Sequence, residues 1–260
     1  MDLGLSGRVY LVTGASSGVG LATAAALLRE GASVAACARD GERLRHALDR
    51  LPRTGGAQAH VGACDVVDGA AVADFTAAAH ARLGRLDGVV NNAGRSLMAP
   101  VADTTEEQWR EEFELKIFSV LNTVRAAGPY LRASDAPAVV NVNAILARQP
   151  EPRLGATSAA RAALLNLTKT LSADLAPIRV NSVALGLIDT GQWRRRYEAA
   201  ADGRGYAEWS ARIAADRGIA LGRFGRAEEI AYPIIALLSP HASYVTGATL
   251  DVGGGVARYV

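Results

Sequence analysis

Cysteine and histidine are scarce in this chain, and its charges nearly cancel. Two cysteines, Cys37 and Cys64, are too few for a disulfide scaffold or a structural zinc site, and both stand in β-like runs where a small reduced thiol is easily buried. The four histidines, at 46, 60, 80 and 241, include no pair at helical ligand spacing, so no metal centre is expected. With 28 Lys+Arg against 26 Asp+Glu the net charge is +2, which offers no footprint for nucleic acid. No uncharged run approaches the length of a membrane span, and the opening MDLGLSGRVYLVTG has no apolar stretch behind a basic region. No membrane association and a cytoplasmic location are therefore expected.

What is present is apolar patterning in abundance. Half of the 260 residues are hydrophobic and 21% are charged, enough to bury one sizeable core and too apolar for a disordered chain. Short β-branched or apolar runs at 8–13, 33–38, 57–64, 87–91, 138–143, 179–184 and 248–252 alternate with Ala/Leu-rich helical patterns. The helices are expected at about 18–30, 41–50, 69–82, 105–132, 156–176 and 227–238. Such alternation is the sequence form of βαβ units. It predicts a single-domain α/β Rossmann architecture over 1–260, a doubly wound, seven-stranded parallel sheet with helices on both faces. Thr104 and Glu107 suggest a capping box for the fourth helix, and Pro177 a stop for the fifth. Only 187–224, rich in Arg and Trp, breaks the alternation, and it is expected to lie over the sheet edge as a substrate lid.

Thr13-Gly14-Ala15-Ser16-Ser17-Gly18-Val19-Gly20 falls between the first strand and the first helix. Glycines there allow a tight turn and close approach of the backbone to a pyrophosphate, whose charge is drawn to the helix N-terminus. Gly14, Ser16, Ser17, Val19 and Gly20 are the candidate contacts. The second strand ends in Ala38-Arg39-Asp40. An Arg there pairs with the 2′-phosphate of NADP, whereas a carboxylate accepts the 2′-hydroxyl of NAD. Arg39 stands directly at the strand end and Asp40 is placed to open the next helix, so NADP(H) is expected over NAD(H). Gly14-Ala15-Ser16-Ser17-Gly18 is also a literal G-x-S-x-G, the form of a hydrolase nucleophile elbow. Only 13 residues precede it, too few for the strands and oxyanion loop an elbow needs.

Together with Asp65-Val66, Asn91-Asn92-Ala93-Gly94, Val180-Asn181-Ser182-Val183, Tyr244-Val245-Thr246-Gly247 and Asp251-Val252-Gly253-Gly254, this turn resembles the classical short-chain dehydrogenase/reductase family over essentially the whole chain. The resemblance implies that Asp65 and Val66 flank the adenine, that Asn92, Ala93 and Gly94 line the cofactor ribose, and that Gly186 to Thr190, including Ile188, hold the nicotinamide end. Leu185 replaces the proline usual before Gly186. It further implies a homodimer or homotetramer. The family's chemistry is hydride transfer between nicotinamide and a carbonyl or alcohol carbon, assisted by Asn, Ser, Tyr and Lys.

All four of those positions are altered here. Lys116 stands for the Asn and Ala144 for the Ser. In Thr157-Ser158-Ala159-Ala160-Arg161, Thr157 stands for the Tyr and Arg161 for the Lys. A Thr hydroxyl is shorter than a phenol and a far weaker acid, Ala144 has no hydroxyl, and an Arg with a pKa above about 12 does not relay protons. Two readings follow. In one, the fold keeps a nucleotide pocket and has lost ordinary carbonyl reduction. In the other, Lys116 and Arg161 form a cationic floor for an anionic substrate, with Arg148, Arg153 and one of Arg194 to Arg196 as a basic rim, and another acid, Tyr197 or Glu151, supplies the proton. Trp193 and Tyr197 are expected to cover the pocket from an amphipathic helix whose arginines mostly face water.

Overall fold

The computed structural model describes residues 2–201 and 203–259. Among them, strands β1 (Val9–Thr13), β2 (Ser33–Ala38), β3 (Ala59–Ala63), β4 (Gly88–Asn91), β5 (Ala138–Ala144), β6 (Arg179–Leu185) and β7 (Thr249–Val252) form one sheet in the order β3-β2-β1-β4-β5-β6-β7. Every pairing is parallel, as in Val12↔Ala36 and Val90↔Val140. The chain winds outward from β1 to β3, then returns to the other side of β1 at β4. Where the winding reverses, the connections after β1 and β4 lead to helices on opposite faces of the sheet, and a crevice opens at the strands' carboxyl ends.

Both faces of the sheet are covered, which is why the strands read as apolar runs rather than alternating ones. Helices α1 (Gly18–Arg29), α2 (Gly41–Asp49) and α9 (Ala227–Leu238) bring Leu27, Leu28, Leu44, Ile230 and Ile234 onto Val12, Val34, Ala36 and Val140. On the opposite face, α3 (Gly69–Leu83), α5 (Ser119–Leu131) and α6 (Gly155–Asp174) bring Phe75, Val120, Val124 and Leu164 onto Leu11, Ala35, Val89 and Val139. Successive residues Leu11 and Val12, or Val139 and Val140, thus feed different cores. Both cysteines are buried and free. No helix among the described residues is long and apolar enough to cross a membrane.

The helix expected over 105–132 is two helices with an irregular turn between them. Helix α4 (Glu106–Phe113) ends in a π-helical turn, Glu114–Phe118, before α5 begins. Its capping box is formed by Thr105 and Gln108, one residue beyond the expected Thr104 and Glu107: Thr105 Oγ1 accepts from the Gln108 amide at 3.2 Å and Gln108 Oε1 from the Thr105 amide at 3.0 Å. Thr104 instead bonds back to the Pro100 carbonyl at 2.8 Å. The segment 187–224 holds α7 (Gly191–Ala200) and α8 (Tyr206–Asp216), packed around Trp209, Phe224 and Ile219 in a small core of their own.

Candidate active site

At the crevice lies an open cleft of about 1400 Å³. Its nucleotide end is made mainly of backbone. Gly14 has φ +64, and a Cβ there would lie 2.8 Å from Ala93 Cα; a Cβ at Gly20 would lie 2.4 Å from Asn92 Nδ2. The turn therefore exists in this form only with glycine at both positions. The β4 loop is bonded to it: the Asn92 and Ala93 amides donate to Thr13 Oγ1 at 3.0 Å each, and Asn92 Nδ2 donates to the Thr13 carbonyl at 2.9 Å. Ser17, the N-cap of α1, makes no capping bond with its side chain, so the helix's first amides are open toward the cleft. That is the arrangement which receives a phosphate.

Gly14, Ser16, Ser17, Val19, Arg39, Asp65, Val66, Asn92, Ala93, Gly94, Gly186, Ile188 and Thr190 all line this one cleft. Gly20 does not; it is the close-packing glycine beneath the turn. Asp40 caps α2 by accepting from the Arg43 amide at 2.9 Å, which leaves Arg39 exposed at the cleft's end. Arg43, absent from the sequence expectations, lines the same end. No histidine lines the cleft, so Ser16 has no base beside it and the hydrolase reading has no support.

The other end differs from expectation. Ala144 and Arg161 line the cleft, whereas Lys116 and Thr157 do not. The π-helical turn carries Lys116 inward, where it is buried and forms a 2.8 Å salt bridge with Glu112, also buried. Glu112 Oε2 also accepts from Thr157 Oγ1 at 2.5 Å, and Thr157 Oγ1 accepts from the Leu97 amide at 3.0 Å. The Thr157 hydroxyl is thus held within the protein. Burial first, and the Arg161 charge second, bring the Lys116 ammonium down to about 8. Arg161 donates from Nη1 to the Val142 carbonyl at 2.6 Å, its Nε has no partner, and burial brings it to about 10, so it stays protonated at neutral pH.

Glu112 is the residue that sequence reasoning missed. It stands four residues before Lys116, the spacing and direction of a helical ion pair, and that was the available signal. The expected cationic floor is corrected accordingly: Lys116 is neutralised by Glu112, and Arg161 alone of the two faces the cleft. The rim is corrected as well. Arg148 pairs with Asp251 at 3.6 Å and lies over Tyr259, exposed Arg153 does not reach the cleft, and Arg194 pairs with Asp189 at 3.0 Å. Arg195 and Arg196 do line it, as does Trp193 but not Tyr197. Of the two residues proposed as substitute acids, Tyr197 donates to the Arg204 carbonyl at 2.7 Å outside the cleft, whereas Glu151 lines the cleft, paired there with Arg217.

A family model described as enoyl-(acyl carrier protein) reductase matches residues 14–257. The 3-oxoacyl-[acyl-carrier-protein] reductase of Thermotoga maritima is 33% identical over 97% of this chain and 98% of its own. Among solved structures, a short chain oxidoreductase of Pseudomonas aeruginosa, described as containing an atypical catalytic center, is 46% identical. Its apo form covers 98% of this chain and 99% of its own with a TM-score of 0.94, and its NADPH-bound form covers 97% and 98% with a TM-score of 0.91. L-sorbose reductase of Gluconobacter frateurii, complexed with NADPH and L-sorbose, is 30% identical over 100% of both chains with a TM-score of 0.95.

Proposed function

This chain belongs to the short-chain dehydrogenase/reductase family, and on that premise we propose that it binds NADP(H) in preference to NAD(H) and does not reduce simple carbonyl compounds by the family's phenol-based route. The fit to a dinucleotide rests on the tight turn at Gly14 and Gly20, where a Cβ would collide with Ala93 and Asn92, and on the N-terminus of α1 behind it, which no side chain caps. Gly14, Ser16, Ser17 and Val19 would hold the pyrophosphate, Arg39 the 2′-phosphate, Asp65 and Val66 the adenine, Asn92 to Gly94 the ribose, and Gly186, Ile188 and Thr190 the nicotinamide end. When bound, NADPH supplies a hydride. The NADPH complex of the Pseudomonas relative supports this reading.

One observation carries the second half of the proposal: the Thr157 hydroxyl is turned onto Glu112 and Leu97 and does not face the cleft. With Ala144 offering no hydroxyl, the reacting end presents Arg161 and no neutral O–H acid at the four positions. The protein is then a cytoplasmic homo-oligomer with a small-molecule site, the exposed Phe118, Tyr244 and Leu250 being apolar surface for a partner copy. The test is NADPH consumption against a panel of ketones and aldehydes, where the wild type should show no turnover of the kind typical of its family. Robust turnover would overturn the reading. A second reading, oxidoreduction with another proton source, draws support from Glu151, which lines the cleft beside Arg217; turnover lost in Glu151→Gln would favour it.

A further inference from the structure

Arg196 sits on α7, half-buried, with its guanidinium 4.6 Å over the Trp193 ring. It lines the cleft, yet no carboxylate among the described residues pairs with it. Asp189 holds Arg194 and Glu151, on the cleft wall, holds Arg217, while the exposed Glu198 two residues further along α7 makes no ion pair with Arg196. Burial pulls the Arg196 guanidinium below its ordinary value. A desolvated cation of this kind is stabilised only in part by an aromatic face and is completed by an anion. Its platform is rigid, because Trp193 packs on Phe224 at 4.8 Å and on Trp209 at 6.1 Å. Beside it the cleft wall is apolar, formed by Ile145, Leu187, Trp193 and Val256.

We propose that Arg196 binds the oxyanion of an amphiphilic ligand whose apolar body lies against Ile145, Leu187, Trp193 and Val256, so that the substrate side of this cleft takes carboxylates or phosphates with a hydrocarbon part. The proposal rests on the reading of the opposite end as a nucleotide pocket. An oxyanion could also come from the cofactor's own pyrophosphate, and the two neighbouring arginines divide these sources. Arg195 reaches back along α7, its Nη1 lying 3.3 Å from where a Gly191 Cβ would be, and the adjoining Thr190 Cγ2 lies 3.3 Å from where a Gly18 Cβ would be. Arg195 therefore leans toward the start of α7, the side on which Thr190 meets the phosphate turn. Arg196, about 100° further round the helix, serves the aromatic wall.

The experiment is calorimetric titration with octanoate and with octanamide, in saturating NADPH and without it, on the wild type, Arg196→Gln and Arg196→Lys. Thermal melts confirm that both variants are folded. Octanoate should bind the wild type at least about tenfold more tightly than octanamide, and Arg196→Gln should lose about tenfold or more, the scale of a charge-assisted contact. Arg196→Lys should retain part of the affinity, and NADPH binding should be unchanged in both variants. Failure of octanoate to bind the wild type, equal binding of amide and acid, or an unaffected Arg196→Gln would each overturn the proposal. Loss of NADPH affinity in Arg196→Gln equal to its loss of octanoate would also overturn it, and would give this arginine to the cofactor. Absence of NADPH binding in the wild type would count against the nucleotide reading, leaving the octanoate comparison without NADPH to decide on Arg196.

Discussion

The two ends of the cleft are built at the same edge of one sheet and have different relations to the fold. At the nucleotide end the working groups are main-chain amides shaped by Gly14 and Gly20 and bonded through Thr13 and Asn92. The same bonds fasten the β1 turn to the β4 loop, so this end cannot be altered without loosening the sheet. At the reacting end the family's chemistry resides in four side chains, and side chains can be exchanged while the backbone stays. Here three of those positions are engaged within the protein, Lys116 and Thr157 with Glu112 and Arg161 with the Val142 carbonyl. A site written in backbone is kept by folding itself, whereas one written in side chains is kept only by use.

The sharpest way to break this comparison is to rebuild the reacting end. Lys116→Asn, Ala144→Ser, Thr157→Tyr and Arg161→Lys should be made together, since members of one catalytic unit act non-additively. Glu112→Gln belongs with them, because Lys116→Asn would otherwise strand a buried carboxylate. NADPH consumption against the carbonyl panel should rise by on the order of 10²–10⁴-fold, the usual worth of a positioned general acid. Next in size is the network itself. Glu112→Gln alone leaves a buried ammonium without its counter-charge and should cost about 3–5 kcal/mol in denaturant melts, while Glu112→Gln with Lys116→Met should return close to the wild type. If the double variant is as unstable as the single, the pair is not what holds this region.

At the nucleotide end, Arg39→Ala should weaken NADPH by roughly 1.5–3 kcal/mol and barely change NADH. Equal losses for both cofactors in calorimetry would show that Arg39 does not read the 2′-phosphate. A further effect concerns pH. Lys116 titrates lower in the folded protein, near 8, than in the unfolded chain, so between pH 8 and its ordinary value the unfolded state binds more protons. Stability should therefore rise with pH over that window, by at most about 1.4 kcal/mol per unit. The Glu112→Gln, Lys116→Met variant should lack this rise, and a matching slope in both proteins would assign it to other groups.

Legibility in the sequence followed the same division. Strand runs, the glycine turn and Asp40 at the head of α2 are set by local backbone preference, and the sheet was readable from them, whereas Asp65, Val66, Asn92 to Gly94 and Gly186 to Thr190 were expected at the cleft only through the family resemblance. The π-helical turn at Glu114–Phe118 has no local signature; with α4 it packs on α6, and it carries Lys116 inward onto Glu112. Tyr197, expected over the pocket, was misplaced for a related reason. Its helix carries Trp193 and Tyr197 into an aromatic core with Tyr206, Trp209 and Phe224, and that core, invisible to helical periodicity, rotates Arg195 and Arg196 toward the cleft and Arg194 away.

Calorimetric titration of NADPH into the wild type and into the rebuilt protein, side by side, tests most directly whether the two ends are separable. The account predicts that both bind NADPH with the same affinity, the nucleotide end being indifferent to what stands at Lys116, Ala144, Thr157 and Arg161. No binding to the wild type, or a rebuilt protein that binds tenfold or more tightly, on the order of 1.4 kcal/mol, would contradict it.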